Sequence, residues 1–266
     1  MGELGRFRKQ VLFLPPLATD KMIRMTLLVG MVGADGVVLA SDRNSGNATD
    51  SECWNGQSTD GVEALTLITK IRILKQHYIA YACAGDRLAT DIGYEMEVLL
   101  DAGGTAFPFD GMDESLRRAI ANASSRRPRD RSRRRQLIVA VGGSQVPQPS
   151  LWRLEVEDVP TGDGEQVTAI PYAYQHSGIV FGGACTNPAT FLGTYYFKPD
   201  SRVHALKFLA AHVILTAGEV DNRIRGLDVV VCDKDGVHEI GTQEKEELAS
   251  KSKNLHKGIR RNIFFF

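Results

Sequence analysis

No stretch of this 266-residue sequence stays apolar for the 18 or more residues that a helical membrane span needs. A short run near the start, "VLFLPPLA" after Arg6, Arg8 and Lys9, is broken by Pro15-Pro16 and makes only a weak secretory signal, so a cytoplasmic protein is expected. Net charge is also missing. Lys+Arg and Asp+Glu balance at 32 each, and no global field points to nucleic acid or membrane as a partner. The local exception, "RRPRDRSRRR" from Arg126 to Arg135, reads as a solvated basic loop. Cys53, Cys83, Cys185 and Cys232 are scattered without a C-x-x-C pair, and three lie in apolar stretches where a free thiol behaves as a small hydrophobe. Neither a disulfide framework nor a zinc site is expected. Glycine-rich phosphate loops and internal repeats are absent, which argues against nucleotide hydrolysis and against a solenoid. His204 and His212 fall eight apart on one predicted helix without a carboxylate partner, so they read as structural. No metal and no cofactor are expected.

What the sequence does have is a series of short apolar strands punctuated by turn residues. "TLLVGMVGADGVVLASD" places strands on both sides of Ala34-Asp35-Gly36, a strong hairpin signal. A polar loop over residues 44–63 follows, then strands in "LTLITKIRIL" and "YIAYACAG". The stretch from Asp86 to Gly103 predicts an amphipathic helix with Leu88, Ile92, Met96, Leu99 and Leu100 on one face, and "MDESLRRAIANAS" predicts a second. "QLIVAVGG" and "SLWRLEVE" read as strands, with "DVPTGDGEQ" as a turn. "SGIVFGGA" leads into a helix capped by Thr186 or Asn187 with Pro188 just inside, and a long helix with a Ser201 cap follows. "LDVVVCDKDGVHEIG" closes as a hairpin, and a charged helical tail ends in the apolar "IFFF", expected to dock on its own subunit or a neighbour. Helices come in consecutive pairs between groups of strands, which disfavours a parallel βαβ fold. The expected class is α+β, a four-layer αββα sandwich with two antiparallel sheets between helix layers.

Thr26 opens the first strand, Asp42 follows 16 residues later at the end of the second, Lys70 heads "KIRIL", and Ala84-Gly85 ends a strand before a helix. In order, spacing and flanking pattern these residues resemble the 20S proteasome family of N-terminal nucleophile hydrolases, including its bacterial relatives. The resemblance runs from about Thr26 to Gly241 and is strongest in "MTLLVGMVGADGVVLASD" and "TKIRIL…ACAGD". It implies residues 1–25 as a leader or propeptide, 26–242 as the hydrolase domain and 243–266 as a C-terminal helical tail. It also implies a chemistry. A threonine hydroxyl needs a base, and the α-amine of an N-terminal Thr26 supplies one. Lys70 keeps that amine neutral, Asp42 holds Lys70 charged and oriented, and the Gly85 amide donates to the tetrahedral oxyanion.

The carried-over function is a threonine-type peptidase subunit of a self-compartmentalising homo-oligomeric ring. Its substrate is peptide or unfolded protein, and a separate ATP-dependent unfoldase is a possible partner. Two other readings stand beside it: a non-catalytic ring subunit of the α-type, and an N-terminal nucleophile amidase acting on a small molecule. The leader "MGELGRFRKQVLFLPPLATDKMIR" lacks the "Tyr-Asp-Arg" and "Gln-Val-Glu-Tyr-Ala" signatures of the α-type helix, which favours the catalytic reading. Departures from the family pattern are specific. Met25 stands where autocleaved propeptides end in Gly, and is also what methionine removal would take if translation began there. Gly183 stands where the family has Ser in a "Gly-Ser-Gly" turn. Asp221 matches the supporting aspartate, but Ile224 replaces the serine three residues on.

Overall fold

The structure, a computed structural model, describes residues 26–44, 69–85, 87–103, 118–119, 121–123, 135–144, 148–161 and 166–264. Among the described residues, ten strands form two antiparallel sheets. The first contains β1 (Leu27–Val32), β2 (Gly36–Ser41), β8 (Ile179–Gly183), β9 (Asp228–Asp233) and β10 (Gly236–Glu239), in the order β10-β9-β2-β1-β8. The second contains β3 (Ile71–Leu74), β4 (Ile79–Ala84), β5 (Arg135–Val141), β6 (Ser150–Thr161) and β7 (Gln166–His176), in chain order. Among the described residues, four helices of eight residues or more accompany them: α1 (Arg87–Gly103), α2 (Ala189–Tyr196), α3 (Val203–Val220) and α4 (Thr242–Phe264).

Strands such as β1 read as unbroken apolar runs because both of their faces are covered. Leu27, Val29 and Met31 point outward to Leu206, Ala210, Val213 and Ile214 of α3. Leu28, Val37 and Leu39 point inward and meet Ala80, Ala82, Ile138 and Ala140 of the second sheet. On the far side of that sheet, Ile92, Met96 and Leu100 of α1 cover Ile79, Tyr81, Leu137 and Val139. Helix, sheet, sheet, helix is the expected four-layer α+β sandwich. α3 is interrupted by His204, Lys207, His212 and Glu219, yet over its 18 residues its mean hydropathy of 1.3 reaches that of a bilayer-crossing helix. Here it is the core helix laid on the first sheet.

Several local expectations change. Ser201 does not cap α3; the Val203 amide donates instead to Asp35 Oδ1, 2.7 Å away in the β1–β2 turn. Asn187 does cap α2, its Oδ1 accepting from the Ala189 amide at 2.9 Å. The stretch read as the turn "DVPTGDGEQ" is partly strand, since β6 and β7 pair from Leu151↔His176 out to Thr161↔Gln166. Pro171 is tolerated there because β7 is a sheet edge. Arg135, assigned to the solvated basic loop, is the first residue of β5 and is buried. His204 is exposed, whereas His212 is buried and shares a hydrogen bond of 2.9 Å with Ser252 Oγ. α4 lies on α3, with Leu248 in the core and Lys207 paired to Glu244. The leader, most of the second predicted helix, the rest of the arginine loop and the last two phenylalanines lie outside the described residues; residues 118–119 and 121–123 are helical.

Candidate active site

The register of β1 and β2 determines the first contact. Leu28 pairs with Ser41, so the residue after β2, Asp42, arrives opposite Leu27 and next to Thr26. Asp42 Oδ1 accepts from the Leu27 amide at 2.9 Å, and Oδ2 from the Asn44 amide at 3.2 Å. The carboxylate is therefore aimed by backbone donors. Lys70 comes from the other sheet, immediately before β3. Its Nζ donates to Asp42 Oδ2 at 2.8 Å and to Thr26 Oγ1 at 3.1 Å. Side-chain exposure is 8% for Lys70 and 0% for Asp42, so this ion pair is sealed from bulk water. Burial pulls Lys70 below the ordinary lysine value and pushes Asp42 above the ordinary carboxylate value. The pair's mutual attraction and hydrogen bonds oppose both shifts.

Thr26 is held from the third side by β8. Its carbonyl accepts from the Ala184 amide at 2.7 Å. Gly183 makes this approach possible. Its φ is +72°, and a Cβ there would stand 1.9 Å from the Thr26 carbonyl oxygen. A serine at 183 has no room in this backbone, which is the structural reason for the departure noted in the sequence. The same hypothetical Cβ would lie 3.2 Å from Ala84 Cβ, so the end of β4 also converges here. Gly85 follows with φ +125°, is exposed, and has no side chain to block its amide.

Asp221 is placed differently. It ends α3, and its carboxylate accepts from the amide and the guanidinium of Arg223, with distances of 2.9 to 3.0 Å. Arg223 holds its pKa below the usual carboxylate range. No described hydrogen bond joins the Asp221 side chain to Thr26, Asp42 or Lys70. Ile224 is 1% exposed and packs into the α3 core instead of presenting a polar group. An open cleft of about 680 Å³ lined by residues 186–188 and 218–223 borders Asp221, and Thr26, Asp42 and Lys70 are not in its wall.

Two residues that sequence reasoning passed over belong to this end of the sandwich. Asn44 Nδ2 donates to the Arg223 carbonyl at 2.6 Å and ties the 221–224 turn to the Asp42 segment. Gln136, at the start of β5, reaches the Gly183 amide. Gln136 carried one signal: a polar residue at the head of the apolar run "LIVAV".

The layers and the strand order form an α+β sandwich compatible with an N-terminal nucleophile hydrolase-like fold. Solved structures that share the fold include Anbu proteins. An Anbu (Gly-1) mutant from Hyphomicrobium sp. strain MC1 matches at 14% identity, over 90% of this chain and 99% of that one, with a TM-score of 0.58. Anbu (ancestral beta-subunit) from Yersinia bercovieri matches at 13% identity, over 88% and 94% of the two chains, with a TM-score of 0.60. No protein-family model and no curated protein matches the sequence. The resemblance to the 20S proteasome family is thereby corrected: the likeness found is to Anbu, and at these identities it is a likeness of fold.

Proposed function

We propose that this chain is a threonine-type peptidase subunit of a self-compartmentalising, proteasome-like ring, with Thr26 Oγ1 as its nucleophile. The observation that carries the reading is the buried Lys70 ammonium, which donates to both Thr26 Oγ1 and Asp42 Oδ2. A cation on the hydroxyl oxygen lowers the cost of the alkoxide that develops during attack. In the full sequence the Thr26 nitrogen is acylated by Met25, so the reaction begins once that bond is gone. The freed α-amine, with an ordinary pKa near about 8, then takes the hydroxyl proton. Oγ1 bonds to the substrate carbonyl carbon, and the oxyanion is received by the Gly85 amide. The peptide C–N bond breaks as the amine proton passes to the leaving nitrogen. Water hydrolyses the Thr26 ester and restores the hydroxyl.

The description of one similar structure as an ancestral β-subunit supports a place in a larger assembly, read here as a homo-oligomeric ring, and enclosure suits a partly exposed nucleophile that must be kept from folded neighbours. Unfolded peptide delivered by a separate ATP-dependent unfoldase, in the cytoplasm, completes the proposal. A second reading, a non-catalytic ring subunit, draws on Gly183 and Ile224, which remove both hydroxyls expected beside the nucleophile. Intact mass, light scattering and a peptide-amide assay decide between them. A ring-sized particle whose chain starts at Thr26 and whose hydrolysis is lost in Thr26→Ala is the expected result. A ring retaining Met25 and hydrolysing nothing supports the scaffold, and a stable active monomer at micromolar concentration supports a small-molecule amidase.

A further inference from the structure

The nucleophile and the oxyanion donor of the proposed reaction stand on different sheets. Thr26 precedes β1 in the first, and Gly85 follows β4 in the second. Their separation therefore depends on how the two sheets are held together at this end. Apolar contact between Leu28, Ala84 and Ile138 fills the interface but has no preferred direction. Gln136 adds direction. It sits on β5 opposite Ala84, is 4% exposed, and its Oε1 accepts from the Gly183 amide of β8 at 2.7 Å. Its Nε2 donates at 2.9 Å to Glu155 Oε1, directly across on β6, and Glu155 is itself paired with Arg153. Glu155 as a carboxylate can only accept and the Gly183 amide can only donate, so the orientation of the Gln136 amide is determined by its partners. Gly183 is followed by Ala184, whose amide holds the Thr26 carbonyl.

We propose that Gln136 is a positioning residue for the hydrolysis: its inter-sheet hydrogen bond sets the reach between Thr26 Oγ1 and the Gly85 amide. The inference rests on the peptidase reading. Gln136 touches no reacting atom, so its loss acts on the transition state, where Oγ1 and the oxyanion donor must be satisfied together.

The test uses the full assembled protein with two variants. Gln136→Leu removes both bonds, and a fall in kcat of about 10- to 100-fold with KM within about twofold is expected. Faster exchange of the Gly183 amide is expected with it. Gln136→Glu keeps the volume and the acceptor for Gly183 but sets two carboxylates face to face, and remains measurable should the Leu variant not fold. A shared proton restores the donor, so its activity relative to wild type at the same pH rises by about tenfold from pH 8 to pH 6. A flat Glu-variant ratio, unchanged Gly183 exchange, or a loss explained wholly by a smaller titrated active fraction overturns the proposal. The two failures are separable: an inactive wild type, or hydrolysis that survives Thr26→Ala, refutes the peptidase reading in the control arm and the positioning role with it. An active wild type with a full-rate Gln136→Leu refutes the positioning role alone.

Discussion

Thr26 and Ser252 each bring a hydroxyl to a side-chain nitrogen: Lys70 Nζ at 3.1 Å in one case, His212 Nδ1 at 2.9 Å in the other. On paper the serine has the better partner, since imidazole is the commoner general base. Its surroundings remove that advantage. Ser252 is 3% exposed and His212 4%, pressed between α3 and α4 with Phe208 and His256 against the imidazole. His256 in turn shares hydrogen bonds with Thr216 and Glu219, so this cluster latches two helices. Thr26 lies at a strand end, only partly buried, with a charged nitrogen fixed behind it by a wholly buried carboxylate. A hydroxyl–base pair becomes a candidate nucleophile through access and charge placement, more than through the identity of the base.

The largest expected effects break this comparison outright. Thr26→Ala abolishes amide hydrolysis and leaves the fold and assembly intact, whereas Ser252→Ala leaves hydrolysis intact and lowers stability by about 1 kcal/mol through the lost buried hydrogen bond. Paired turnover assays and thermal melts check both, and activity within about tenfold of wild type in Thr26→Ala removes the nucleophile assignment. Lys70→Ala comes next, nearly as damaging to turnover, with Asp42→Asn milder because the amide still accepts from Lys70. Both are read as kcat/KM against pH, and a profile unchanged in Lys70→Ala counts against the role given to that residue.

Acidification sharpens the contrast at the helix seam. Burial, with His256 beside it, holds the His212 pKa below the ordinary histidine value. The unfolded chain takes up this proton near about pH 6.5 and the fold resists it. The resulting stability is fully present above that value and is lost as pH falls through it toward the folded pKa. Denaturant midpoints are therefore expected to fall below about pH 6.5, and less steeply in His212→Gln. The smallest effect concerns Asp221. Its contacts run to the exposed Arg223, a pair worth about 1 kcal/mol or less, so Asp221→Ala is expected to change kcat/KM by less than about threefold. A loss of about 100-fold places Asp221 in the reaction despite its orientation.

Features determined by neighbours in sequence were legible before the fold was known. Asp-Gly turns predict the β1–β2 and β9–β10 hairpins because a tight turn imposes its own backbone angles. Thr26, Asp42 and Lys70 were grouped through a family resemblance in order and spacing, and the hairpin register explains why the first two meet. Features determined across the chain were not legible. The α3 cap comes from Asp35, 168 residues away, and the nearby Ser201 drew the expectation instead. Gln136 was the polar first residue of the apolar run "QLIVAV", and its partner Gly183 lies 47 residues further on. Asp221 is a local exception: it matched by position, yet the amide and guanidinium of Arg223, only two residues on, take up its carboxylate. The long β6–β7 hairpin was obscured because prolines and turn formers are tolerated on an edge.

The order β10-β9-β2-β1-β8 has a consequence for synthesis. Every strand that flanks the β1–β2 hairpin comes from residues 179–239, while the second sheet closes entirely within residues 71–176. A ribosome moving at about 5–20 residues per second takes roughly 10–40 s to travel from Asp42 to the end of β10. Throughout that interval Thr26 lacks the Ala184 amide that holds its carbonyl, and its hairpin lacks both flanking strands. Residues 179–239 complete the strand-end cluster that Thr26 and Asp42 begin, so that cluster closes only after the whole second sheet has been made.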